Sequence, residues 1–337
     1  MMKKAVSLLM GLWVVLPVVM GSASAAENVR LGFAWIPYGK HSFFYAAKER
    51  GIYAKEGFSV SFIPGRGGMD AIKKVAAGQT DFGLGGIDVL VLARSKGTKV
   101  KALGVWHDKG FLVIYYFKES GIRKPKDLEG RSIGSPIWQD SRVLFPALAL
   151  KAGVDASKVR WVEMTPAAQG SSLIAGKVDA VASFSILDPV YEAMAAKQGK
   201  TLGAVYFADY GIDIYSNGLL ATDERIQQNP KQVERFVRAT YEGIAWGVEH
   251  PKEALKIFLK ANPASNAAIA RAQFKIAIEH LMTPTAKAKG IGYISKERMT
   301  ITRDIITKYK KAPRVVPIEE VYTSKFLPKL FPKMGSF

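Results

Sequence analysis

No cysteine occurs anywhere in the 337 residues, so disulfides play no part in this fold, which has to rest on its apolar core. Histidine is scarce as well. His41, His107, His250 and His280 show neither the paired spacing of a zinc site nor a downstream carboxylate ligand, which leaves only His107-Asp108 as a metal candidate and no metal as the expectation. Long apolar runs are confined to one place, Ala5–Met20, and nothing comparable follows.

That run is preceded by Lys3 and Lys4 and followed by Gly21-Ser22-Ala23-Ser24-Ala25-Ala26, the charged, apolar and small-residue order of a secretory signal. Residues 1–25 are expected to be removed near Ala25. A retained anchor is the alternative, but the run is short for a span and holds Pro17. A lipoprotein would need a cysteine at the cleavage point. The expected location is therefore the periplasm of a Gram-negative-like cell.

The formal charge is +19, and removing the segment that holds Lys3 and Lys4 leaves +17. Such an excess fits nucleic acid, an anionic surface, an acidic ligand or a solvated basic surface. The lysines are scattered and no nucleic-acid motif is present, so a solvated surface and no nucleic-acid partner are expected. Hydrophobic residues make up 48% of the chain, and about 310 mature residues exceed what one compact core usually carries, so two lobes are expected.

From Val29 onward, strand-like and helix-like segments alternate with short glycine-marked joints, which gives an α/β class. Strands are expected at Val29–Trp35, Phe58–Phe62, Asp81–Leu84 and Val100–Trp106, with helices at Phe43–Arg50, Asp70–Ala77 and Ile87–Ser95. The alternation restarts at Arg131–Gly134 and runs through a helix over Ser141–Lys151 to a strand at Leu202–Phe207. Helices at Pro230–Val248, Pro251–Leu259 and Ala267–Leu281 fill the last third. Ala77-Gly78-Gln-Thr-Asp81 and Ala175-Gly176-Lys-Val-Asp179 echo each other, either as the trace of two similar lobes or as a common joint. If Phe111–Phe117 leaves the first lobe and Ile214–Ala221 returns to it, two strands connect the lobes. The expected division is 26–112 with 216–337 for lobe 1 and 113–215 for lobe 2.

The series Trp35-x-Pro37-x-x-x-His41-x-x-x-Tyr45-x-Ala47-x-x-x-Gly51-x-Tyr53-x-x-x-Gly57 resembles the thiamine-pyrimidine (hydroxymethylpyrimidine) type of periplasmic solute-binding protein. So do Ala77-Gly78-x-x-Asp81-Phe-Gly83, Lys124-Pro125-x-Asp127-Leu-x-Gly130 and the later Asn217–Asp223 and Val321–Leu327 segments. That group is close to the sulphonate, taurine and nitrate binding proteins of ABC importers. The resemblance implies a two-lobe type II periplasmic binding fold, each lobe a sheet flanked by helices, closing on a small ligand and delivering it to an inner-membrane permease with its cytoplasmic ATPase. A monomer without a cofactor is expected. Some relatives with this fold are enzymes that build the thiamine pyrimidine from their own histidine and a pyridoxal cofactor. They also carry a cysteine-rich iron-binding motif, which this chain cannot supply, so no enzymatic activity is expected.

In a doubly wound sheet, the ligand crevice lies beyond the carboxyl ends of the strands. Trp35, Tyr38 and His41 follow the first strand and can offer flat faces and polar tips, although Trp35 could equally be core and His41 a helix cap. Arg66 and Gly67 stand between a strand and a helix, where an anion is favoured, or form a plain tight loop. Gly86 and Asp88 repeat that placement, with Asp88 either capping its helix or accepting from a ligand amino group. Trp138, Phe184 and Asp188 hold the corresponding places in the second lobe, where two aromatics could sandwich a ring and Asp188 could read an aminopyrimidine edge. The expected ligand is a planar heterocycle such as a thiamine pyrimidine precursor. A small sulphonate, taurine, nitrate or aromatic carboxylate is the alternative. A pyrimidine-forming enzyme and a sensor input domain are the other classes considered.

Overall fold

The computed structural model describes residues 26–137 and 139–337, so the expected signal segment 1–25 and Trp138 lie outside the described residues. Ten strands form two five-stranded mixed sheets. The first contains β1 (Glu27–Phe33), β2 (Phe58–Ile63), β3 (Phe82–Gly86), β4 (Val100–His107) and β10 (Asn217–Thr222), in the order β2-β1-β3-β10-β4. The second contains β5 (Leu112–Phe117), β6 (Ser132–Ser135), β7 (Arg160–Glu163), β8 (Ala180–Phe184) and β9 (Leu202–Tyr206), in the order β7-β6-β8-β5-β9.

The two sheets repeat one plan. In each, three neighbouring strands pair in parallel, and the antiparallel strand beside them is the one that has just crossed from the other sheet: β10 in the first, β5 in the second. The echo seen in the sequence is the local reason. Gly78 and Gly176 turn the chain with φ of 66° and 67°, a conformation that glycine enters without a Cβ penalty. The aspartate three residues later then ties the new strand to its neighbour. Asp81 N–H donates to the Arg30 carbonyl at 2.9 Å while its carboxylate accepts from the Arg30 N–H at 2.8 Å. Asp179 and Ser132 make the same exchange at 3.0 and 2.8 Å.

Several boundaries differ from expectation. β1 ends at Phe33, so Trp35 lies in the loop. The helix expected over Ser141–Lys151 is two, Asp140–Val143 and Phe145–Ala152, broken at Leu144 with Pro146, which has no N–H to donate, in the first turn of the second. A helix at Lys296–Tyr309 was not anticipated. It is capped by Ser295, whose hydroxyl accepts from the Arg298 N–H at 3.2 Å, and it buries Met299, Thr302 and Ile306 on one face. Burial of each large apolar side chain of this kind contributes about 1.5–3 kcal/mol.

The core follows the layers. One cluster under the first sheet joins Phe33, Phe44 and Trp106 to the long helix Pro230–Glu249 through Phe236 and Tyr241. A second runs between the sheets, from Leu90 and Val105 through Leu112 and Tyr215 to Ile133 and Leu148, and takes in Met299 and Ile306. The sheets are thus joined by the two crossing segments and by the Lys296–Tyr309 helix laid across them. Among the described residues, no helix is long and apolar enough to cross a membrane.

Candidate functional site

The parallel strands of both sheets end at the same seam. β4 runs out at His107 and the chain crosses through Asp108–Phe111 to β5; the return crossing delivers Ile214–Ser216 to β10. A cavity of about 20 Å³ opens there, lined by Asp88 and Ser216 beside the first sheet, Phe111 on the outward crossing, and Leu112, Asp140 and Phe184 from the second. That space holds about one water. The Phe111 and Phe184 rings meet edge to face at 5.1 Å, so aromatic surface flanks the cavity.

Two aspartates share one cation at this point. Lys310 Nζ, just past the end of the Lys296–Tyr309 helix, donates to Asp88 Oδ2 at 2.7 Å and to Asp140 Oδ1 at 2.5 Å. Burial and then the neighbouring Asp88 charge push the Asp140 carboxyl up to about 6, against the pull of Lys310. Burial alone would lower the Lys310 ammonium, but Asp88 and Asp140 outweigh it and raise it. Asp88 is therefore tied into a bridge between elements of both sheets, and among the described residues its carboxylate makes no capping hydrogen bond to the start of its own helix.

The crossings are held from the same helix. Arg298 donates to Asp108 Oδ1 at 2.6 Å and to Asp213 Oδ1 at 2.8 Å, one residue on each crossing, while its guanidinium lies 4.4 Å from the Tyr215 ring centroid. Thr283 also donates to the Asp108 carboxylate. Asp108, half of the only metal candidate in the sequence, is fully engaged in this clamp. Among the described residues, no group of three His, Asp or Glu side chains could hold a metal ion.

Beside Phe111 lies an aromatic and imidazole shell. Gly39 has no Cβ, and the backbone of the Ala267–Leu281 helix at Ala270 occupies the place where one would stand; the Gly39 N–H donates to Gln273 Oε1 at 3.1 Å. This helix buries Lys40 and His41. His41 Nδ1 accepts from the Tyr38 N–H at 2.9 Å, and its ring stacks on Phe33 at 4.5 Å with planes 5° apart, so it acts as a cap within the core. Burial, then the Lys40 charge, holds it well below the usual imidazole range. His107 stacks on His280 at 4.9 Å, and both are depressed by burial, His280 to about 4.

The remaining expected residues are distributed as follows. Trp35 is 38% exposed in the loop after β1, with Tyr38 half-buried beside it. Arg66 is exposed and its backbone N–H donates to Asp70 Oδ2 at 2.9 Å; Gly67 turns that loop with φ of 131°. Neither Trp35 nor Arg66 lines the cavity. Gly86 pairs with Asn217 at the seam end of β3. Asp188 faces the tyrosines of the second sheet: Tyr115 and Tyr206 donate to it, the latter at 3.0 Å, and burial still raises it to about 6. Lys40, Phe111, Asp140 and Lys310 were not singled out from the sequence. Their signal is tertiary, because each acquires its role from a partner far along the chain. A separate outer groove of about 320 Å³, lined by Tyr45, Phe62 and Ile257, draws on only the first sheet and its helices.

The family model described as NMT1/THI5 like matches residues 39–254, more than half of the chain. The formylaminopyrimidine-binding protein of Halalkalibacterium halodurans is 26% identical over 243 residues, 72% of this chain and 73% of the relative. The 4-amino-5-hydroxymethyl-2-methylpyrimidine phosphate synthase of Legionella pneumophila is 23% identical over 318 residues, 92% of this chain and 95% of the relative. Among solved structures, the periplasmic aliphatic sulphonate binding protein SsuA of Escherichia coli superposes with a TM-score of 0.70 at 17% identity, covering 92% of this chain and 96% of that one. The fold is thus the two-sheet periplasmic binding protein fold that the resemblance implied.

Proposed function

We propose that this chain, which belongs to the NMT1/THI5 like family, is the substrate-binding component of an ABC importer that takes up a small planar heterocycle at the seam between its sheets. The observation that carries this reading is the cavity built from both sheets and both crossings, flanked by Phe111 and Phe184 and polarised by Asp88 and Asp140. Two sheets joined by two crossing segments and one helix can hinge apart at the seam and close again on a ligand. In this reading the lobes are 26–112 with 216–337, and 113–215. Closure creates the surface that an inner-membrane permease recognises, and residues 1–25 direct export to the periplasm. Aromatic faces suit a flat ring, and the paired carboxylates suit its amino or ring N–H groups.

A small organic anion is the second reading, favoured by the buried Lys40 beside Phe111. A pyrimidine-forming enzyme is less well supported. Synthases share the family, but a chain without cysteine has no thiolates for an iron-binding cysteine cluster.

The test is a thermal-shift screen of the chain after partial unfolding and dialysis, with aminopyrimidines and other neutral heterocycles in one arm and sulphonates, taurine, nitrate and carboxylates in the other. A ligand that binds only the folded chain raises its Tm by mass action. A saturable shift with recovery of unchanged compound supports a binding protein. Conversion of the compound, or no shift from any member of either arm, counts against it.

A further inference from the structure

The lysines that look scattered along the sequence are not shared evenly by the fold. Residues 113–215, which carry most of the second sheet, hold 12 Lys and Arg against 11 Asp and Glu, a net charge of +1, although they are 103 of the 312 residues that follow residue 25. The rest, 26–112 with 216–337, therefore carries +16 of the +17. An excess serving solubility alone has no reason to favour one part of the molecule, whereas a one-sided field orients a protein toward a partner of opposite charge.

One helix gathers this excess on a single face. In Pro251–Ala261, Ala254, Leu255 and Phe258 are buried, while Lys252, Lys256 and Lys260 stand exposed on the other side. Four-residue spacing advances an α-helix by about 40°, so the three ammonium groups fall within an arc of about 80°. Among the described residues Lys252 and Lys256 have no ion-pair partner, and Lys260 reaches Glu49 Oε1 only at 3.8 Å with both side chains largely in water. The stripe ends at the outer groove of about 320 Å³, lined by Lys260, by the exposed Lys48 of the Ser42–Glu49 helix, and by the half-buried Tyr45, Phe62 and Ile257. Lys48 Nζ lies 5.5 Å from the Phe62 ring centroid. Glu49 and Glu253 are the acidic residues of these two helices, so the four lysines outnumber them by two.

We propose that this face, Lys252, Lys256 and Lys260 with Lys48 and the groove between them, docks the chain on an anionic phospholipid surface. The ammonium groups meet headgroup phosphates, and the apolar side chains of the groove lie against the glycerol and the first carbons of an acyl chain. Lysine suits that boundary, because its stem covers apolar surface while its head stays with the anions. Lipid is favoured over an acidic protein by the residue type: all four cations are lysine, which is depleted from protein interfaces where arginine is enriched. The groove shares no residue with the seam cavity, so docking and solute capture use separate surfaces. For the importer role proposed above, docking keeps the receptor in the thin layer of solvent that its permease faces.

The experiment is vesicle co-sedimentation of residues 26–337, so that the apolar run Ala5–Met20 cannot itself enter the bilayer. Vesicles of phosphatidylglycerol and phosphatidylcholine in equal parts are compared with phosphatidylcholine alone. Wild type is expected to bind the mixed vesicles and not the neutral ones, and to be released as sodium chloride is added. Each lysine near such a surface is worth about fivefold in affinity, so the triple variant Lys252→Gln, Lys256→Gln, Lys260→Gln should lose about a hundredfold. The control Lys151→Gln, Lys177→Gln, Lys197→Gln removes the same charge from exposed positions between 113 and 215 and should bind nearly as wild type does. All six positions are exposed, so both variants are expected to melt with wild type. Equal losses in the two triple variants overturn the proposal, as do equal binding to neutral vesicles and a wild type that ignores the mixed ones. A wild type retained by its permease but not by vesicles assigns the face to a protein and overturns the lipid assignment. The Tm shift given by a solute at the seam should be the same in all three chains, so failure of the docking proposal leaves the solute-binding reading intact.

Discussion

Lys310 donates to Asp140 at 2.5 Å, and that contact ties the end of a C-terminal helix to the first turn of a helix of the second sheet, 170 residues away. Because the same ammonium also holds Asp88 at 2.7 Å, one cation joins elements of both sheets at the mouth of the cavity. Removing it leaves two carboxylates facing each other with little water to screen them. Lys310→Met is expected to destabilise the chain by about 3–5 kcal/mol in urea unfolding, with much of the loss restored when Asp88→Asn and Asp140→Asn are added. A Lys310→Met chain as stable as wild type would show that the bridge is a surface contact without energetic weight.

Asp179 should matter for the second sheet as Asp81 does for the first. It accepts from the Ser132 N–H and hydroxyl at 2.8 and 2.6 Å, so Asp179→Ala strands a strand-end donor and is expected to cost about 1–3 kcal/mol. Amide exchange at Ser132 provides the local readout. Unchanged protection there would mean that the joint is held by the backbone alone.

Phe184 is half-buried and borders the cavity. Phe184→Ala is expected to weaken ligand binding more than tenfold in calorimetry, while its Tm falls less than for truncation of a fully buried ring such as Phe145. Wild-type affinity in that variant would remove the ring from the site.

The imidazole of His280 gives a pH signature. Its folded value of about 4 lies below the 6.5 of the free side chain, so between those values the unfolded chain binds the extra proton. The stability that His280 contributes is therefore complete above pH 6.5 and is lost as the pH falls toward 4. Asp140 and Asp188, both raised to about 6, act in the opposite sense over much of this range. The clean quantity is the difference between wild type and His280→Gln, which should grow in favour of wild type as pH rises from 4 to 6.5. A flat difference would show that His280 is not buried in its neutral form.

The plan of the fold was legible because its punctuation is local. Gly78 with Asp81 and Gly176 with Asp179 each act within a few residues, and their spacing therefore survives as a pattern in the sequence. The 296–309 helix was not legible for the opposite reason. Its inward positions, Met299, Thr302 and Ile306, are few and spread among Lys, Arg and Thr, so its apolar face shows only once the partner surface is known. Lysine at position 40 reads as a solvated residue; its burial shows only once Trp106 and Phe111, more than sixty positions later, are known to lie beside it. Likewise, the sequence offers two meanings for Asp88, a cap or a ligand contact, and cannot anticipate a bridge to residue 310.

The most direct test of solute capture at the seam is a crystal structure of the chain with the compound that shifts its Tm. Density bounded by both sheets, in van der Waals contact with Phe111 and Phe184, is the predicted result. Density confined to the outer groove at Tyr45, Phe62 and Ile257, built from the first sheet and its helices alone, would contradict it.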